Sequence, residues 1–145
     1  MQPAFGVIGL GRMAQALVVP LLERGRIPAD KLLAVVGSSG SLEQRREALP
    51  AGISLMAAED PAAQQVWMAP VQLLAVKPQQ LDAVAAAAGP VVGQPLLISV
   101  LAGVSLARLQ HLFPGHRCVR AVPNTPALVG AGLTCLLYTS PSPRD

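Results

Sequence analysis

Ala4-Phe5-Gly6-Val7-Ile8-Gly9-Leu10-Gly11-Arg12-Met13-Ala14 is the stretch that decides the fold. Residues 4–8 form an apolar run of strand length, and Gly9 to Ala14 follows at once in the pattern G-x-G-x-x-G/A. Apolar residues then recur at 13, 17 and 21 and at 14, 18 and 22, the spacing of a helix face packed on a sheet. Gly25 closes that helix after Gln15–Arg24. The small residues have separate tasks. Gly9 can take the backbone angles of a tight turn, Gly11 leaves room for a pyrophosphate beside the main chain, and Ala14 lets the helix lie close to the strand. Free N–H groups and the dipole at the helix start favour phosphate charge. With a strand before it and a helix after it, the motif reads as a dinucleotide site. Gly9, Leu10, Gly11, Arg12, Met13 and Ala14 are its candidate binding residues.

A length of 145 residues suits one domain with a sizeable core. Apolar residues make up 52% of the chain, but Gly and Pro interrupt them, and no stretch offers the ~18 apolar residues of a membrane span. The glycine motif falls where the apolar centre of a signal peptide would lie, so no secretory leader and no membrane partner are expected. The net charge of +3 is scattered, and aromatic residues are only 3% of the chain. That is too few to stack bases, and it argues against nucleic acid as a partner. Cys118 and Cys135 show no metal or disulfide spacing, which fits a reducing, cytoplasmic location.

Further along, residues 31–36 predict a second strand that ends in Gly37-Ser38-Ser39-Gly40. An NAD-preferring fold usually carries an acidic residue at this strand end. Here Ser38 and Ser39 stand in its place, with Arg45 and Arg46 a short helix away. Small hydroxyls and guanidinium groups suit a 2′-phosphate, so NADP(H) is the expected cofactor and NAD(H) the second choice. The arginine pair also has a plainer reading as a solvated helix face. Ser41-Leu42-Glu43-Gln44 reads as a capping box whose helix stops at Pro50-Ala51-Gly52.

Residues 53–56, 71–76, 96–101 and 117–122 predict further strands. Asp60-Pro61 opens a helix towards Met68, Gln79 to Ala88 forms another, and Ser105 caps a third through Leu112. Trp67 is expected to be a packing residue, and His111 and His116 are expected at the surface. Strands apolar on both faces, alternating with helices, imply an α/β fold. The expected architecture is a Rossmann-type doubly wound, mostly parallel sheet with helices on both faces. Ligands on such sheets lie beyond the carboxyl ends of the strands. The short motifs gather there: the glycine turn, Ser38-Ser39, Ala75-Val76-Lys77-Pro78, Leu101-Ala102-Gly103 and Pro123-Asn124-Thr125-Pro126.

At these motifs the chain resembles the pyrroline-5-carboxylate reductases. The resemblance rests on residues 8–14, Ala75-Val76-Lys77-Pro78-Gln79-Gln80, Ile98-Ser99-Val100-Leu101-Ala102-Gly103-Val104, and the run from Arg120 through Pro123-Asn124-Thr125-Pro126 to Gly132. It spans about residues 4–134, and its one small departure is Val122, where that family usually has Met. The resemblance implies reduction of the cyclic imine 1-pyrroline-5-carboxylate to L-proline by hydride from NAD(P)H. By the same token, residues 9–14 with Ser38 and Ser39 would hold the phosphates and ribose. Ala75, Val76, Lys77, Pro78, Ala102, Gly103, Asn124 and Thr125 would line the nicotinamide end. A protonated imine is already electrophilic, so no catalytic acid is assigned.

The resemblance also implies a helical second domain that forms a homo-oligomer and holds the substrate carboxylate. No stretch here corresponds to it, and residues 135–145 are unlike the family. They can be encoded by DNA that looks like a transposase adapter used for sequencing libraries. The expectation is therefore a cofactor domain over 1–134, inactive alone, followed by a foreign tail. Leu133-Thr134 begins a final strand that residues 135–138 of the tail extend, and nothing regular forms beyond Thr139. Two other readings share the glycine turn: a dehydrogenase of the 3-hydroxyisobutyrate type, and a nucleotide-sensing module without chemistry. The motifs at 75–78 and 123–126 argue against the first.

Overall fold

Seven short strands form one sheet in the computed structural model, which describes residues 3–37, 40, 42–47, 49–50, 52–89, 91, 93–121 and 136–138. The strands are β1 (Phe5–Ile8), β2 (Leu32–Val36), β3 (Ser54–Ala57), β4 (Val71–Leu74), β5 (Leu96–Ser99), β6 (Arg117–Ala121) and β7 (Leu136–Tyr138). Their order in space is β3-β2-β1-β4-β5-β6-β7. The first six are parallel and β7 returns antiparallel to β6. Strand order reverses at β1, where β2 departs on one side and β4 on the other, so a crevice opens at the carboxyl ends of these strands. All five residues of β2 are buried, as a strand covered on both faces requires.

The helices are α1 (Arg12–Glu23), α2 (Leu42–Glu47), α3 (Leu81–Ala88) and α4 (Leu106–Leu112). On one face Ala14, Leu17 and Val18 of α1 pack against Val7, Leu32, Ala34, Val36 and Leu73. On the other, Ala63, Val66, Trp67, Leu81, Leu109 and Phe113 pack against Ile8, Leu33, Val35, Leu74, Leu97 and Cys118. Burial there pushes the Cys118 thiol up to about 12, which keeps it protonated and inert. None of the described helices is long and apolar enough to cross a membrane.

The expected elements are all present, with shifted limits. β4 and β5 stop two residues short of their predicted ends at Val76 and Leu101, whereas β1 and β2 end where predicted and start one residue later. β3 is shifted by one residue to Ser54–Ala57, and β6 is described as far as Ala121. The segment Pro61–Met68 is a 3-10 helix, opened as expected by Asp60, whose Oδ1 accepts from the Ala62 N–H at 2.9 Å. A 3-10 turn over Pro78–Gln80 delays α3 to Leu81. Ser105 caps α4 by accepting from the Arg108 N–H at 3.1 Å. In the tail, β7 falls within the strand predicted there. Leu133, Thr134, Cys135 and residues 139–145 lie outside the described residues, as does Ser41 of the capping box.

His116 contradicts its reading as a surface residue; it is only 4% exposed, whereas His111 is exposed as expected. The Gln72 amide nitrogen donates to the Trp67 and Ala69 carbonyls at 3.0 and 2.9 Å, so its oxygen is left to accept. His116 Nε2 meets that oxygen at 2.8 Å, which assigns the ring proton to Nε2. The imidazole stands edge-on to Phe113 and Trp67, with centroids 5.3 and 6.0 Å away. Gln110 donates to the His116 carbonyl at 2.8 Å and holds the same corner.

Burial lowers the His116 pKa from 6.5 to about 4. Below pH 6.5 the unfolded chain therefore takes up a proton that the folded chain refuses. The stability from keeping this ring neutral is complete above about 6.5 and is lost as pH falls towards 4. Chemical denaturation at pH 7.5 and 5.0 should show that loss. His116→Gln, which keeps an N–H for Gln72 but cannot titrate, should show a smaller drop between the same two pH values.

Candidate dinucleotide site

The crevice at the strand reversal is a cleft of about 350 Å³, lined by Gly9, Leu10, Gly11, Val36, Gly37, Arg45, Ala75, Val76, Lys77 and Gln80. Its walls are main chain continued just past the strands. The Gly9 N–H donates to the Val35 carbonyl at 2.9 Å, and the Ala75 N–H donates to the Ile8 carbonyl at 2.8 Å. Gly9 has φ +87°, and a Cβ there would stand 2.7 Å from the Ala75 carbonyl oxygen. Only glycine meets both conditions. Gly11 differs: it is extended, it precedes α1 as the N-cap, and a Cβ built on it meets nothing within 4 Å. The space beside it is therefore open to a ligand.

Among the described residues, Arg45 and Lys77 are the charged side chains of this lining, both cationic, and no carboxylate joins them. No acidic residue occupies the first turn of α1 either, so the helix dipole and both cations favour an anion. The two adjacent arginines part company. Arg45 faces the cleft, whereas Arg46 lines a separate hollow of about 300 Å³ with Leu49, Pro50, Gly52, Ile53 and Leu55. Beside the cleft lies a second, mainly apolar hollow of about 260 Å³, walled by Val35, Val36, Ala58, Val76, Ala83, Val84 and Ala87 among others. Gly9, Gly37 and Gln80 border both spaces.

Of the sequence candidates, Gly9, Leu10, Gly11, Ala75, Val76 and Lys77 are brought together in the cleft. Ala14 is wholly buried and seats α1 on β1. Arg12 opens α1, with Met13 beside it partly exposed at 39%. Pro78 starts the 3-10 turn that carries Gln80 to the cleft, and is itself outside the lining. Ala102 and Gly103 follow β5 at the same edge of the sheet, exposed and also outside the lining. Ser38, Ser39, Asn124 and Thr125 lie outside the described residues. Sequence reasoning passed over Val36, Gly37 and Gln80, although each lies at or just beyond the carboxyl end of a strand where ligands sit.

Comparison with known proteins bears on what this cleft holds. The family described as NADP oxidoreductase, coenzyme F420-dependent, matches residues 4–103. A pyrroline-5-carboxylate reductase of Synechocystis sp. is 40% identical over 131 residues, which are 90% of this chain and 47% of that protein. The reductase of the same name from Haemophilus influenzae is 37% identical, covering 89% of this chain and 46% of its own length. Among solved structures, a pyrroline-5-carboxylate reductase from Coxiella burnetii superposes with a TM-score of 0.68 at 28% identity, over 89% of this chain and 47% of that one. The chain thus spans about half the length of the curated relatives it matches.

Substitution of the two glycines should separate structure from binding. Gly9→Ala forces a left-handed alanine against the Ala75 carbonyl and should cost about 2–4 kcal/mol of stability, read by denaturant titration. Gly11→Val has open space for its side chain and should leave the midpoint nearly unchanged.

Proposed function

This chain belongs to the family described as NADP oxidoreductase, coenzyme F420-dependent, and we propose that it is the cofactor half of a pyrroline-5-carboxylate reductase. The observation that carries the reading is the 40% identity to a reductase of that name over nine-tenths of the chain. The family's description names NADP, so NADPH is taken as the hydride donor.

The residues present fit such a cofactor. Gly9 and Gly11 keep side chains out of the turn, and the start of α1 offers N–H groups to a diphosphate. Arg45, beyond the end of β2, suits a 2′-phosphate, and the neighbouring apolar hollow suits a flat purine. Ala75 and Lys77 follow β4, across the cleft from Arg45, on the side assigned to the nicotinamide. NADPH, when bound, supplies a hydride.

The chain's own contribution is to bind and orient. Its main-chain walls fix the donor's position. The imine arrives protonated at nitrogen, its carbon accepts the hydride, and the C=N bond becomes the C–N bond of proline. The existing N–H stays on the product, so no residue of this half need move a proton. Contacts to the substrate carboxylate and the oligomer interface are assigned to the other half of the full-length protein. On this reading residues 1–134 are the cofactor domain, residues 135–145 fall outside the family pattern, and the enzyme works in the cytoplasm.

Two measurements test the proposal. A full-length protein carrying this domain should oxidise NADPH only when 1-pyrroline-5-carboxylate is supplied, with proline as product; oxidation that ignores the imine refutes it. In the chain itself NADPH should bind more tightly than NADH. Arg45→Ala should weaken NADPH about tenfold while leaving NADH and the Arg46→Ala variant close to unchanged.

A further inference from the structure

The peptide between Leu10 and Gly11 forms part of the cleft wall. Its plane turns on the ψ of Leu10 and the φ of Gly11, and Gly11, with open space beside it, has no side chain to oppose that rotation. The C=O and N–H of one trans peptide point in opposite directions. A half-turn of this plane would therefore replace the Gly11 N–H with the Leu10 carbonyl. One orientation offers an anion a hydrogen-bond donor; the other offers it a partial negative charge. The helix start does not settle the choice, because Gly11 is an N-cap without a side-chain cap.

One side chain does settle it. Gln15 reaches back from the first turn of α1, and its Nε2 donates to the Leu10 carbonyl at 3.2 Å. Gln15 is half-buried and lies outside the cleft lining, so the carbonyl it holds is drawn away from the ligand space. Its backbone N–H donates to the Gly11 carbonyl at 3.1 Å, which fixes the next peptide from the same residue. The glycine pattern ends at Ala14 and assigns Gln15 nothing.

We propose that Gln15 is a positioning residue for the phosphate cradle: it holds the Leu10–Gly11 peptide with its carbonyl turned out of the cleft and its N–H free for a diphosphate oxygen. Gly11, which leaves room for the ligand, also leaves this peptide able to flip, and the Gln15 amide removes that freedom. This inference rests on the dinucleotide reading given above.

The test uses the chain with NADPH and with adenosine 2′-monophosphate, which has the purine and the 2′-phosphate but no diphosphate. Gln15→Met keeps the length and bulk of the side chain and removes the donor. It should weaken NADPH binding about five- to tenfold, the effect of one hydrogen bond, and leave the monophosphate's affinity and the melting midpoint unchanged. Parallel weakening of both ligands, or no change in either, overturns the proposal. Should the variant not fold, the unchanged chain still decides the matter. Its Gly11 amide resonance should move on addition of NADPH and stay put with the monophosphate, and a Gly11 signal indifferent to NADPH refutes the role. Failure of the unchanged chain to bind NADPH at all is a different result, which overturns the dinucleotide reading and the Gln15 role together.

Discussion

Main chain meets main chain where the first and fourth strands end, and the architecture depends on that approach. Gly9 comes so close to the Ala75 carbonyl that a single methyl group would not fit between them. Because it fits, β1 and β4 stay in register from Phe5 opposite Val71 to Ile8 opposite Leu74. The chain then turns out of the sheet on the residue after the last pair. That exit aims α1 back across β1, where Ala14 and Val18 are buried. The same exit leaves the start of α1 over the cleft. Fold and site thus share one constraint.

Much of this was readable because parallel strands buried on both faces must be apolar throughout, and Leu32-Leu33-Ala34-Val35-Val36 has no other simple use. Limits were harder, because an apolar run can outlast its strand: Ala75 and Val76 read as strand but lie past Leu74 and serve as lining. The cleft half that rests on glycine geometry was legible. The choice between Arg45 and Arg46 was not, because neighbouring positions on a six-residue helix point about 100° apart and nothing local says which side faces the sheet edge.

His116 shows what pairing distant in sequence conceals. A histidine after Gly115 looks like part of a loop, yet 44 residues separate it from the glutamine that needs it. The signal lay in β4 rather than in the histidine. Gln72 interrupts Val71-Leu73-Leu74 with an amide that cannot be buried without partners. It takes two carbonyls and an imidazole, and so joins the 3-10 helix, β4 and the turn into β6 at the end of the sheet away from the cleft.

The strand order carries a consequence for how such a chain is made. Synthesis delivers β1 first, yet β1 ends up in the interior of the sheet, beside Leu32 on one flank and Val71 on the other. A nascent chain can zip β1 to β2 early, across a short span. The second flank must wait until Ala75 has left the ribosome and a far longer loop has closed. Until then the Gly9 turn has support on one side only. The glycine turn is thus made before the strand that completes its surroundings, and the growing chain spends that interval with one flank of β1 open to mispairing.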